Sequence, residues 1–181
     1  ALEDAGIDAA DVDEIIVGHF NGGLSQQDFS ASIPMEIDVR MRFKPASRVE
    51  NACATGSTAV LHGTRAIDAG AARCVLVVGV EKMTHLPTEE VGPILLKCLH
   101  EPEQADAGTA GFAGVFARVA DRYFQENGDQ SDALARIAAK NHRNGSKNPY
   151  AHVQKDLGYD FCRHASDKNP IVAAPLKRTD C

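Results

Sequence analysis

Short β-branched apolar runs alternate along the chain with longer stretches of small or amphipathic residues, the pattern of an α/β fold. Glu14-Ile15-Ile16-Val17-Gly18-His19 follows an Asp-rich turn and reads as a buried strand, which Asn21-Gly22-Gly23 breaks. Residues 27–43 are mixed and interrupted by Pro34, which predicts a short helix and an irregular connection. Ala46 to Glu50 is a weak strand. From Cys53 to about Ala69 the residues are small and helix-compatible, and Gly70 supplies the stop. Gly56 and Gly63 lower the helix propensity here. Close approach of other backbone is the expected compensation, which predicts a buried helix. Residues 73–80 (Arg-Cys-Val-Leu-Val-Val-Gly-Val) read as the clearest buried strand. Strand, helix and strand at this spacing predict a βαβ unit with a parallel pair.

After Glu81 the pattern changes. Pro87, Pro93 and Pro102 punctuate short apolar patches over residues 82–107, predicting an excursion away from the sheet. Phe112, Val115, Phe116, Val119 and Tyr123 then share one helical face, ending near Asn127-Gly128. Ser131 is placed to cap a second helix running to about Asn144, with Leu134, Ile137 and Ala138 inward. Residues 145–170 read as polar loop, and Ile171-Val172-Ala173-Ala174 as a short apolar return.

Composition narrows the class. The 181 residues are 44% hydrophobic and 24% charged, ordinary for a globular protein with one core and room for a satellite. No run reaches the length needed to span a bilayer, so no membrane partner is expected. Five cysteines, at 53, 74, 98, 162 and 181, form no close pair, which argues against a disulfide framework or a metal site and for a reducing cytoplasm. Residues 1–130 carry 10 basic and 20 acidic groups, whereas residues 131–181 carry 9 and 5. The basic groups are dispersed and aromatics are few, so nucleic acid is not expected as a partner. Ala1 to Gly6 reads as the end of a helix, and Arg178-Thr179-Asp180-Cys181 adds no terminal element, so both ends are expected to lie inside a longer polypeptide.

The candidate chemistry lies in Val49-Glu50-Asn51-Ala52-Cys53-Ala54-Thr55-Gly56-Ser57. It places a cysteine where a strand stops and a small-residue helix starts, at the carboxyl end of a strand where open α/β sheets bind ligands. Helix N-termini carry unpaired N–H groups and partial positive charge, which favour a thiolate and an oxyanion. The position therefore suits acyl transfer through a covalent thioester. Cys74 and Cys98 read as packing residues. His62 reads as a packed or hydrogen-bonded histidine, and nothing in the spacing of His19 assigns it a role. Glu81 reads either as an ionised group near the site or as a hydrogen-bonded structural carboxylate.

The segment Asn51-Ala52-Cys53-Ala54-Thr55-Gly56-Ser57 resembles the nucleophile segment of the thiolase superfamily. Val77-Val78-Gly79-Val80-Glu81-Lys82-Met83 resembles the strand and Gly-x-Glu-x-Met signature that follows it. Asn141-His142-Arg143-Asn144-Gly145, Asn148-Pro149-Tyr150-Ala151-His152, Asp167-Lys168-Asn169-Pro170 and the last seven residues are most similar to the branch related to sterol-carrier-protein thiolases. The resemblance runs along essentially the whole chain and matches the N-terminal half of such an enzyme.

The resemblance implies a layered α-β-α domain, incomplete here, with an inserted and mainly helical loop domain. Residues 1–81 are then the core with the nucleophile, 82–170 the loop domain, and 171–181 a return to the core. It implies acyl transfer between coenzyme A thioesters, either thiolysis of a 3-oxoacyl-CoA or the reverse condensation. Cys53 carries the acyl group, Asn51 and Gly56 support the nucleophile loop, and coenzyme A and acyl-CoA are substrates with no permanently bound cofactor and no metal. The family's Gly-His-Pro and Cys-x-Gly motifs do not occur in these 181 residues, so the chain alone is expected to be inactive. Dispersed basic groups among residues 131–181, such as Arg143, Lys147, Lys155, Arg163 and Lys168, suit the phosphates of CoA as a group. A homodimer or dimer of dimers is implied for the full-length protein, with residues 46–50 near the symmetry mate. Two alternatives are a decarboxylating ketoacyl synthase and a non-catalytic thiolase-like subunit that binds acyl-CoA or supports assembly.

Overall fold

A computed structural model describes residues 1–104 and 111–169, and these divide between two compact units, Ala1–Cys98 and Leu99–Cys181. The expected apolar return at 171–174 lies outside the described residues.

In the first unit, helix α1 (Leu2–Ala5) is closed by Gly6, whose φ of 66° is the left-handed conformation glycine adopts without strain. Strand β1 (Glu14–Gly18) follows a 3-10 turn. Two further 3-10 stretches, Ser30–Glu36 and Val39–Met41, make up the irregular connection to β2 (Ala46–Val49). Helix α2 (Thr55–Asp68) and β3 (Val75–Gly79) complete the sheet layer, and α3 (Thr88–Leu96) follows. Gly70, at φ 68°, turns the chain out of α2.

The three strands are parallel in the order β2-β1-β3, with Ile15 opposite Ala46 and Leu76, and Gly18 opposite Val49 and Gly79. The connection β2-α2-β3 therefore crosses over β1, and β2 and β3 do not pair directly as the expected βαβ pair would. The central strand β1, not β3, is the buried one. β3 is an edge of this sheet and is only half-buried, because no strand covers its far side among the described residues.

Alternation along the strands sends side chains to two faces. Ile15 and Val17 of β1 join Ala9, Val12 and Met41 in the core, with Leu76 and Val78 of β3 packed against it. The opposite face receives α2. There the helix presents Thr55, Ala59 and Gly63, a buried stripe at four-residue spacing. A Cβ on Gly18 would lie 3.2 Å from the Thr55 carbonyl oxygen and 3.3 Å from the Ala59 Cβ. One on Gly63 would lie 3.1 Å from Val77 Cγ2 and 3.3 Å from Val75 Cγ1. The small residues thus let α2 sit close on β1 and β3, although Gly63 meets side chains and not the backbone expected. The rest of α2 is open, with Val60 at 58% and Leu61 and Ile67 at 47% exposure, so in this chain the helix buries one stripe and not its whole circumference.

Polar clasps fix the loops. Asp13 accepts from the Arg73 and Cys74 N–H groups at 2.8 and 3.1 Å, tying the entry of β1 to that of β3; those bonds hold its carboxyl below the usual range. Arg40 bridges Asp38 and Asp8 at 2.6 and 2.7 Å. The guanidinium, helped by the Arg40 N–H, lowers Asp38 to about 2.

The second unit holds α4 (Glu101–Gln104), α5 (Gly111–Asn127), α6 (Ser131–Gly145) and α7 (Gly158–Arg163). Ala135 and Ala138 of α6 bury against Cys162 of α7, flanked by Tyr159 and Phe161. Four expectations change here. The Ser131 side chain caps nothing; its N–H is instead taken by the Asp129 carboxylate at 2.9 Å, so the capping group sits two residues earlier. Ile137 faces out, because the stripe meeting α7 runs through Ala135 and Ala138. The stretch expected as loop contains α7, held by Asp132, which accepts from Tyr159 at 2.9 Å and Arg163 at 2.6 Å. Phe116, Val119 and Tyr123 of α5, expected as an apolar face, are each more than half exposed.

Replacing Gly63 with leucine should lower stability by about 1–3 kcal/mol through overpacking against β3, measured by urea unfolding. Asp38 provides a pH test. Its carboxyl is depressed on folding, so its stabilising contribution is complete above the ordinary value near 3.8 and is lost as pH falls toward about 2. The stability gap between wild type and Asp38→Asn should close over that window.

Candidate active site

The site is built where β1, β2 and β3 end and α2 begins. β2 ends at Val49, and Asn51 leads into a 3-10 turn, Ala52–Ala54, that carries Cys53 exposed to solvent. The cysteine therefore precedes α2 and is not part of its first turn. Ala52 has a φ of 47°, a left-handed conformation that strains a residue with a Cβ.

Several hydrogen bonds maintain it. The Glu50 carboxylate accepts from the Ala52 N–H. Thr55 Oγ1 donates to the Ala52 carbonyl at 2.6 Å and accepts from the Asn51 N–H at 2.8 Å. The Asn51 side-chain amide donates to Thr58 Oγ1 at 3.1 Å. Thr55 is thus the pin of the turn, buried against Gly18 on one side and bonded to both arms of the turn on the other.

Cys53 lines a cavity of about 410 Å³. Gly18 and Phe20 contribute from the end of β1, Thr55 and Gly56 from the start of α2, and Gly79, Val80, Glu81 and Met83 from the end of β3. Leu95 and Cys98, at the end of α3 and just after it, form another wall. The lining is mostly apolar, and the N-terminal, partially positive end of α2 opens onto it. A Cβ on Gly56 would meet nothing within 4 Å. The glycine keeps this part of the cavity open instead of permitting close packing, as Gly63 does.

Glu81 is a hydrogen-bonded carboxylate. It accepts from the Phe20 N–H at 3.0 Å and the Asn21 N–H at 3.4 Å, and its other oxygen lies 3.4 Å from Nε2 of buried His19. Arg48 of β2 holds the same loop, donating to the carbonyls of His19, Phe20 and Asp28 at 3.0, 3.3 and 2.9 Å. The loop after β1 is therefore fixed from both neighbouring strands.

Sequence reasoning left Thr55, Phe20, Leu95 and Cys98 outside the site. A threonine just before a helical run is an N-terminal signature that could have pointed to Thr55. Cys98, read as a packing residue, is half-buried and faces the cavity. No periodicity in residues 82–98 signals that the segment returns to the cavity. Among the basic residues of the second unit, Arg163 is committed to Asp132.

Residues 1–157 match the family described as "Thiolase, N-terminal domain". The chain belongs to the thiolase family. An acetyl-CoA acetyltransferase of Methanothermobacter thermautotrophicus is 32% identical over the whole of this chain and 45% of its own length. One of Methanocaldococcus jannaschii is 35% identical, again over the whole chain and 44% of its own length. Sterol carrier protein 2 of Homo sapiens is 28% identical over 88% of the chain and 30% of its own length. This thiolase chain thus spans less than half the length of these relatives. The small parallel sheet with its helices is the α/β portion of the family fold.

The openness at Gly56 is testable by chemistry at Cys53. Gly56→Leu should slow alkylation of Cys53 by N-ethylmaleimide about five- to tenfold, equivalent to ~1–1.4 kcal/mol on the barrier. Gly56→Ala should raise stability by about 0.5–1 kcal/mol. Both are read on the purified protein, by peptide mass spectrometry and by urea unfolding.

Proposed function

We propose that the protein containing this chain moves acyl groups between coenzyme A thioesters through an acyl-enzyme on Cys53, cleaving a 3-oxoacyl-CoA with CoA or running the reverse condensation. The observation that carries the reading is the exposed thiol on a pinned turn, beside an apolar cavity and the positive end of α2. The relatives named acetyl-CoA acetyltransferase support it at the level of reaction class.

In this reading the Cys53 thiolate attacks the thioester carbonyl carbon. Negative charge develops on the carbonyl oxygen, where the N-terminal end of α2 stabilises it. Collapse breaks the carbon–sulfur bond, releases the CoA thiolate to be protonated, and leaves the acyl group on Cys53. The apolar walls from Phe20, Val80, Met83 and Leu95 take the acyl chain and exclude water that would hydrolyse the intermediate. Asn51 and Gly56 act by shaping the turn and leaving space beside it. Proton transfer in the second half-reaction belongs, in the family this chain resembles, to Gly-His-Pro and Cys-x-Gly motifs, neither of which occurs in these 181 residues.

The reading extends to organisation. The family resemblance assigns residues 1–81 to the core of a layered α-β-α domain, 82–170 to its loop domain, and 171–181, which lie outside the described residues, to a return to the core. CoA and acyl-CoA are the partners, and the cytoplasm is the compartment. A homodimer or dimer of dimers forms through residues 46–50, because β2 presents a sheet edge with no strand on its outer side among the described residues.

Brief exposure of the full-length protein to acetyl-CoA, followed by peptide mass spectrometry, should find the acetyl adduct on the peptide containing Cys53. Cys53→Ser should lower thiolysis by about 10³-fold or more with folding intact. A natively folded protein with no adduct on Cys53 overturns the reading.

A further inference from the structure

Acyl transfer engages one of the two thiols that line the cavity. Cys53 stands exposed on its turn, while Cys98 is half-buried two residues beyond α3, its N–H donating to the Leu95 carbonyl at 3.2 Å. Both belong to the first compact unit. The two thiols face the same cavity of about 410 Å³, which no described residue of the second unit lines, and burial pushes the Cys98 thiol up. An exposed thiol meets a dissolved oxidant first, and a shielded one that stays protonated persists as a thiol.

We propose that Cys53 and Cys98 form an oxidisable pair, a modification site within the cavity at which hydrogen peroxide acts. The Cys53 thiolate attacks one peroxide oxygen, the O–O bond breaks, and Cys53 becomes a sulfenic acid while the other oxygen leaves as hydroxide and is protonated to water. The Cys98 sulfur then attacks the Cys53 sulfur. An S–S bond forms, the S–O bond breaks, and the Cys98 proton departs with the hydroxyl as water. Two thiols lose two electrons in all, and one peroxide becomes two waters. The pair halts oxidation at a reducible disulfide, where Cys53 alone would continue to the irreversible sulfinic acid. This requires an accessible thiol at Cys53 and does not depend on acyl transfer.

The test treats the full-length protein with a several-fold molar excess of hydrogen peroxide, since sulfinic acid formation consumes two peroxides per thiol, blocks free thiols, and maps tryptic peptides by mass spectrometry. The expected product joins residues 49–65 to residues 98–118 and disappears on treatment with dithiothreitol. In Cys98→Ser and Cys98→Ala, each checked for native circular dichroism, the same treatment should convert Cys53 to sulfinic acid. Dithiothreitol should then fail to restore its free thiol. Sulfinic acid on Cys53 of the wild type beside a free Cys98 thiol overturns the proposal, as does a disulfide joining Cys53 to any other cysteine. An acetyl adduct on Cys53 without the cross-link would overturn this pairing and leave the acyl-transfer reading standing.

Discussion

The first unit depends on how closely α2 lies on the sheet. Gly18, Ala59 and Gly63 set that distance, since a side chain at either glycine would meet atoms between 3.1 and 3.3 Å away. The cost is intrinsic: Gly56 and Gly63 each weaken the helix by about 1 kcal/mol relative to alanine. The return is positional. With the helix seated, Thr55 reaches both arms of the preceding turn, and the turn holds Ala52 in a conformation it would otherwise avoid. The placement of Cys53 is therefore a consequence of close helix-on-sheet packing several residues away, transmitted through one hydroxyl.

The two glycines of α2 are alike in sequence and opposite in physics. Gly63 is a packing glycine, and Gly56 is a space-keeping one. Helix periodicity separates them only once it is known which residue meets the sheet: 55, 59 and 63 share the buried stripe, and 56 is turned off it. The same distinction applies to carboxylates. Asp13 and Glu81 both accept paired backbone N–H groups across some sixty residues. Asp13 closes the entry end of the sheet, whereas Glu81 closes the exit end beside the cavity.

What was legible in the sequence follows from which interactions are local. The strand positions of β1, β2 and β3, the helix from Thr55 to Asp68 and the glycine stop at Gly70 are written in short-range patterns, and the structure has them. Strand order is not local. The segment from Ala46 to Gly79 reads as a closed βαβ pair because nothing within it reveals that β1, formed thirty residues earlier, occupies the middle. Burial of β3 and α2 was overread for a related reason: apolar content reports what a surface favours, not what this chain supplies to cover it. Ser131 does not cap because its hydroxyl and its own N–H both donate to the Asp129 carboxylate, two residues before it. The motif around Cys53 marks one turn, yet its neighbours Thr55 and Cys98 are not legible in it because their places at the cavity are fixed by tertiary contact.

The cavity combines two sorts of wall. One is over-determined: Gly18, Thr55 and Glu81 are each held by the sheet, by α2 or by backbone N–H groups, so displacing any of them breaks several bonds at once. The other consists of Met83, Leu95 and Cys98, which come from chain beyond the last strand. Leu95 and Cys98 are tied to each other by the turn after α3. A site divided in this way separates placement from selection. The thiol and the field of the α2 terminus are fixed by the fold, while the volume next to them is set by side chains that lie outside the sheet and α2. Under the acyl-transfer reading, chemistry is anchored to the first wall and acyl preference to the second, which is why Cys98 can hold a second thiol beside the first without disturbing the turn that carries Cys53.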